Sequence, residues 1–146
     1  MVTVARASVR ERAFIDRQRV GHLATVDARG APSVVPVCYA YDGEYFYTPI
    51  DEKPKQRDRL LRRVRNVEAT GRAALIIDRY DEDWSRLGWV HARGRAWILP
   101  PGAEGHATAV ALLRERYAQY RAMALEAAPI IVLSPDRLTS WGVLDE

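Results

Sequence analysis

With 146 residues, 48% hydrophobic and 28% charged side chains and a net charge of +3, the chain has the make-up of one globular domain spanning 1–146. That composition excludes intrinsic disorder, and the lone Cys38 excludes an internal disulfide and any multi-cysteine zinc or iron–sulfur centre. No apolar run approaches the ~20 residues of a membrane-spanning helix, and Arg6, Arg10 and Arg12 interrupt the N-terminus where a signal peptide is apolar. A soluble, cytoplasmic protein without a membrane partner is expected.

In chain order, residues 3–19 place Val4, Ala5, Val9, Ala13 and Phe14 among arginines and acids, which predicts an amphipathic helix. Residues 22–27 are short and β-branched, and Asp27-Ala28-Arg29-Gly30 supplies turn chemistry with a glycine able to take positive φ. Residues 32–40 read as a second strand, which Pro36 confines to an edge or a bulge. Asp42-Gly43 signals a hairpin into a third strand at 45–48, so the opening reads as a three-stranded meander. After a loop, Pro54 suits the first turn of a helix with Leu60, Leu61, Val64 and Val67 on one stripe, and Gly71 ends it. Residues 72–78 form an apolar strand and 81–86 a polar loop holding Trp84. Residues 89–99 form a strand kinked near Gly94. Residues 103–126 are rich in Ala, Leu and Arg and predict a long helix; strands at 130–133 and 138–144 follow, separated by Pro135. The order α-βββ-α-ββ-α-ββ predicts an antiparallel sheet closed into a barrel with attached helices.

Charge is concentrated rather than spread. Between Lys53 and Arg65 stand seven basic residues and one acid, so the remainder of the chain is net acidic. A single basic segment on a near-neutral body points to a local anion site rather than a nucleic-acid surface. Lys53, Lys55 and Arg57 fall at the start of the predicted helix, where free backbone N–H groups and the helix dipole favour an anion. A strand ending in Tyr47-Thr48, leading into this basic helix start, forms a phosphate pocket at the barrel mouth. Arg59, Arg62, Arg63 and Arg65 read as a solvated helix face.

Other chemistries find no support. There is no glycine-rich phosphate loop and no nucleophile elbow around Ser33, Ser85, Ser134 or Ser140. His22, His91 and His106 lack metal-ligand spacing, and Cys38, inside a strand, reads as an inert buried thiol. Trp89 and Trp97 suit a core or an interface. Trp84 and Trp141 are the aromatics left to cover a planar ring. A basic pocket with aromatics nearby points to an organic cofactor carrying both a flat ring and a phosphate.

The stretch RVGHLATVDARGAPSVVPVCYAYDGEYFYTPIDEKPKQ (19–56), with LLRRVRNVE (60–68), RAALIIDRYDEDW (72–84), HARGRAWIL (91–99) and LTSW (138–141), resembles the split-barrel flavin and deazaflavin oxidoreductases. This is the superfamily of pyridoxamine 5′-phosphate oxidase. The segments DEKPK and YDEDWSRL resemble most its branch of probable deazaflavin-dependent enzymes, which use coenzyme F-420 (8-hydroxy-5-deazaflavin). The resemblance implies a mainly β (α+β) fold, a six-stranded antiparallel split barrel with peripheral helices. It also implies a homodimer with cofactor sites at the subunit interface. Pro36 and Val37 are carried over as ring contacts, Tyr47 and Thr48 as the strand end leading to phosphate, and Lys53 or Lys55, with Arg57 beside them, as its grip. Trp84 and Trp141 match segments that approach the cofactor. Relatives often carry an aromatic at the position of Gly88 and an arginine at that of His91, and the chain lacks the Arg-x-His ending of vitamin B6 oxidation.

The expected activity is hydride transfer between F-420 and a small organic substrate. No residue is named as the catalytic acid or base: Tyr39, Tyr41 and His22 are the candidate proton donors, each also explicable as structural. FMN as the cofactor of an oxidase or reductase is the first alternative, and a non-catalytic cofactor-binding or storage protein the second. No metal and no nucleic-acid partner are expected.

Overall fold

The computed structural model describes residues 3–51 and 57–145. Seven antiparallel strands form one sheet: β1 (Gly21–Val26), β2 (Pro32–Val37), β3 (Ala40–Tyr41), β4 (Phe46–Pro49), β5 (Arg72–Arg79), β6 (Gly88–Leu99) and β7 (Ile130–Gly142). Their lateral order is β2-β1-β5-β6-β7-β4-β3. Helices α1 (Val9–Arg17), α2 (Arg57–Thr70) and α3 (His106–Arg116) surround it. No helix among the described residues is long and apolar enough to cross a membrane.

The two edge strands are consecutive in the chain. Laid flat, β2 and β3 would stand six strand spacings apart, roughly 29 Å, whereas the three steps from Val37 to Ala40 reach roughly 11 Å. The sheet therefore curls until its edges meet, and because β2 and β3 share no ladder the barrel is split. The expected meander does not form, since β2 pairs only with β1 and β3 only with β4. Pro32 and Pro36 sit on the edge strand, where a missing N–H is tolerated.

The crossing is clamped from outside. The Tyr39 amide donates to the Tyr117 hydroxyl at 3.1 Å, and the Tyr39 hydroxyl lies 2.6 Å from the Ile15 carbonyl. Arg116 donates to the Tyr39, Asp16 and Gln18 carbonyls at 2.8–2.9 Å. Burial pushes the Tyr39 phenol well above its ordinary range.

Strand β7 shows how one run serves two cores. Ile131 and Leu133 point inside the curl with Phe14, Leu23, Tyr39 and Leu75. Ile130 and Val132 point outward beneath α3, against Val110, Leu113 and Tyr117. All four are buried because both faces are covered there.

Three expectations change. The strands at 130–133 and 138–144 are one strand, because Pro135 pairs with Gly94 and a bulge at Asp136 takes up the β6–β7 register shift at Arg93/Gly94. The merger removes one of the seven strands read along the chain and the separate β3 restores the number, so the sheet has seven strands where the resemblance implies six. The first helix starts at Val9, where Ser8 and Glu11 form a reciprocal capping box. The third helix stops at Arg116 and continues as two 3-10 turns, Ala118–Ala122 and Leu125–Ala127. Arg114 donates to the Tyr120 and Met123 carbonyls and pairs with Glu126, satisfying backbone groups that a continuous helix would have used. Gly71 ends α2 as expected, at φ +66°.

Gly94 is where β7 comes closest: a Cβ there would fall 2.6 Å from the Asp136 amide nitrogen and closer still to the Ser134 carbonyl. Gly94→Ala is expected to cost about 1–3 kcal/mol by overpacking backbone that cannot move aside. Urea unfolding of the variant against wild type measures it.

Candidate functional site

Alternation along the strands gives the uncovered half of the sheet a defined outer face. One row runs Pro36, His22, Ile76, His91, Thr139 across β2, β1, β5, β6 and β7. A second row brings Asp78, Trp89 and Trp141 into register, and a third brings Val34, Ala24, Ala74, Arg93 and Arg137. Helix α3 covers the other half, so Val34 and Trp141 remain 65% and 53% exposed on this one. The face is mixed, with exposed Val34 and Trp141 set among His22, His91, Asp78, Arg93 and Arg137.

Beneath the inner side of β2 lies a cleft of about 480 Å³, bounded by Leu23 and Thr25 of β1, Ser33, Val34 and Val35 of β2, and Arg62 and Arg63 of α2. Asn66, buried on the same helix, donates to the Thr25 hydroxyl at 3.0 Å and fixes α2 over β1. Arg63 is 7% exposed, and its Nε has no hydrogen-bond partner. Burial pulls its guanidinium pKa down, opposed by the negative field of Asp51 and Tyr120. The cleft is rich in donors, and its described lining residues include no carboxylate.

The residues singled out from sequence fall into separate groups. Val37, Tyr47 and Thr48 line one internal void of about 10 Å³, room for at most a single water. The Thr48 hydroxyl donates to the Cys38 carbonyl at 2.8 Å, and the Tyr47 hydroxyl to Asp42 at 2.7 Å. Burial and the Asp42 carboxylate raise the Tyr47 pKa. Pro36 lies on the outer face. Trp84, 71% exposed in the 3-10 turn before β6, donates to the Tyr80 hydroxyl at 3.3 Å, near the end of the sheet that carries Trp141. Arg57 is the first residue of α2. Lys53, Lys55 and Pro54 lie outside the described residues. Four strand spacings, roughly 19 Å across the sheet, separate the strands of Pro36 and Trp141, so within one protomer the two do not meet over a single ring.

Of the candidate proton donors, Tyr39 and Tyr41 are buried with their hydroxyls bonded to backbone: that of Tyr41 donates to the Gly43 carbonyl and accepts from the Ala7 amide. His22 is exposed beside Pro36. The sequence reading of Arg63 as solvated is corrected: it stands three residues after Leu60 and four before Val67, on the stripe that faces the sheet. That spacing was the available signal, together with Thr25 and Ser33 facing each other across β1 and β2. Gly88, where relatives carry an aromatic, is opposite Gly142, and a Cβ on either would overlap backbone of the opposing segment.

A curled antiparallel sheet split between two edges, with a donor-lined cleft beside an uncovered face, is the architecture of the flavin- and deazaflavin-binding split barrels. The chain belongs to the pyridoxamine 5′-phosphate oxidase family, whose model matches residues 10–142. It is 30% identical over 137 residues to the 5a,11a-dehydrotetracycline/5a,11a-dehydrooxytetracycline reductase of Streptomyces rimosus subsp. rimosus, covering 92% of this chain and 82% of the relative. Among solved structures, an F-420 reductase superposes with a TM-score of 0.59 at 25% identity, over 88% of this chain and 94% of that one. HutZ, the heme storage protein from Vibrio cholerae, superposes with a TM-score of 0.70 at 16% identity, over 94% and 95%, a likeness of fold alone.

His91 is half-buried beside Arg93, and burial and that positive charge both lower its pKa below 6.5. The folded protein thus binds fewer protons than the unfolded chain near pH 6, and this contribution to stability falls as pH drops through 6.5. The His91 ring resonance, followed by NMR, is expected to titrate below 6.5 and to move upward in Arg93→Ala.

Proposed function

We propose that the protein is an oxidoreductase that binds coenzyme F-420 and passes a hydride between it and a small organic substrate, working as a homodimer. The observation that carries this is the cleft under β2. At about 480 Å³ it is of ligand size, and its described lining residues offer donors and cations without carboxylates. Similarity to a reductase and to an F-420 reductase supports the same reading.

When bound, the deazaflavin supplies or accepts the hydride as a two-electron step. The chain's own residues bind and orient. Arg62 and Arg63, with Thr25 and Ser33, hold the anionic portion, and Lys53, Lys55 and Arg57 are the further basic residues assigned to it from the sequence. Pro36 and Val37 present the β2 backbone to the ring. His22, exposed beside Pro36, is the side chain placed to hold or move a proton there. Trp84 and Trp141, too far from Pro36 within one protomer, cover the ring from the second subunit when two outer sheet faces pack together and exclude water.

Fluorescence titration with F-420 is expected to give micromolar binding, weakened about tenfold, or about 1.4 kcal/mol, by Lys53→Ala or Lys55→Ala. Binding of FMN alone would transfer the protein to flavin chemistry, and binding of neither would overturn the cofactor reading. Light scattering is expected to show a dimer that Trp141→Glu dissociates; a wild-type monomer would overturn the second-subunit role of Trp84 and Trp141.

A further inference from the structure

We infer that Arg79 is a positioning residue: its guanidinium locks the 3-10 turn that carries Trp84 to the segment that follows Trp141, so that the two indoles meet a flat ring as one rigid jaw. The inference rests on the cofactor reading for the ring that the jaw covers.

Arg79 ends β5 two residues after Ile77, on the side of the strand that carries Leu75 and Ile77 into the curl. Its guanidinium lies 5.5 Å from the centre of the Phe14 ring, a cation–π contact that holds it at the end of the barrel. From there Nε and Nη2 both donate to the Arg86 carbonyl, at 3.0 and 2.7 Å, and Nη2 donates to the Val143 carbonyl at 2.6 Å. Arg86 closes the turn Trp84–Arg86, and Val143 stands two residues after Trp141. One planar fork therefore spans both segments. A lysine, a single point of charge on a flexible stem, does not reproduce it.

The two segments are fitted to each other. The Val143 amide donates to the Leu87 carbonyl at 2.8 Å, and Gly88 and Gly142 permit that approach, since a Cβ on either would overlap the opposing backbone. Each segment is also braced on its own side. Asp83 caps the turn through the Ser85 amide, and Asp81 pairs with Arg86 at 3.1 Å. Beyond Val143, Arg17 donates to the Leu144 carbonyl, Arg10 pairs with Asp145, and the Leu144 side chain is buried in the core. Yet Trp84 and Trp141 are both more than half exposed, so the bracing serves indoles that the protomer itself does not bury. An aromatic on a loose turn or tail loses freedom when it binds, and fixing its backbone beforehand removes part of that cost. The side chain that joins the two halves is Arg79.

F-420 titration of Arg79→Lys in two backgrounds tests the jaw. In the wild-type background the substitution is expected to weaken binding about tenfold. In Trp84→Leu/Trp141→Leu, which keeps that surface apolar but lacks both flat rings, Arg79→Lys is expected to change binding less than about twofold, because Arg79 acts through the indoles. Without cofactor, exchange of the Val143 amide is expected to be at least about tenfold faster in Arg79→Lys while the β1–β5 ladder exchanges as in wild type. No loss of affinity in Arg79→Lys, a loss that persists undiminished without the two tryptophans, or unchanged Val143 exchange would each overturn the jaw. An unfolded Arg79→Lys chain would also overturn it, by marking Arg79 as structural. In all of these cases F-420 binding by wild type would still stand. Failure of wild type to bind F-420 or FMN would overturn the cofactor reading and the jaw together, whereas FMN binding with the same dependence on Arg79 and the tryptophans would keep the jaw and change the cofactor.

Discussion

The crossing from Val37 to Ala40 is the constraint on which the rest depends. Three residue steps must join the two edges of a seven-stranded sheet, so the sheet cannot lie open. Its curl creates an inside, filled by Phe14, Leu23, Leu75 and Leu133, and an outside whose halves have different fates. Helix α3 covers β7, β4 and β3, and Arg116 at its end ties that helix to the crossing through the Tyr39 carbonyl. The same contact therefore closes the barrel and fixes which half of the outer face stays bare.

That division organises the candidate site. The bare half carries Pro36, His22, His91 and Trp141 in registered rows, and the edge strand β2 divides it from the cleft beneath α2. A ring laid against β2 from outside and an anionic group reaching inward towards Arg63 would use the two sides of one strand. Prolines at positions 32 and 36 keep that edge from pairing with another strand while leaving its carbonyls available.

Much of the fold was legible because its signals are local. Asp27 through Gly30, the Asp42-Gly43 turn and Gly71 each specify backbone geometry through their own chemistry, and Gly30, Gly43 and Gly71 all take positive φ. Where tertiary contacts decide, the sequence reading failed. The Ala-rich run after Gly105 has helical propensity throughout, yet Tyr117 leaves the helix to place its hydroxyl at the Tyr39 amide. Pro135 reads as a strand break only until it is known to pair with Gly94 beside a bulge at Asp136. The meander was inferred from sequence adjacency, and nothing local reveals that β2 and β3 lie at opposite edges.

The site was legible in its elements and less so in its residues. A basic segment following Tyr47-Thr48 pointed to anion binding through Lys53, Lys55 and Arg57, whereas the cations that line the cleft are Arg62 and Arg63, further along α2. Composition, however, groups all the arginines together, whereas burial separates them: Arg62 and Arg65 are exposed, and Arg63 is enclosed. A solvated arginine keeps its hydration and gives up little of it before a ligand arrives. An enclosed one has lost its water on folding, and its interaction with an anion is correspondingly less screened. Under the proposed function, Arg63 would therefore be the arginine of α2 whose charge acts most strongly on a bound anion. An exposed helix face offers no such coupling, so under the proposed function the position of Arg63 on the α2 stripe would link the stability of this barrel to ligand binding in its cleft.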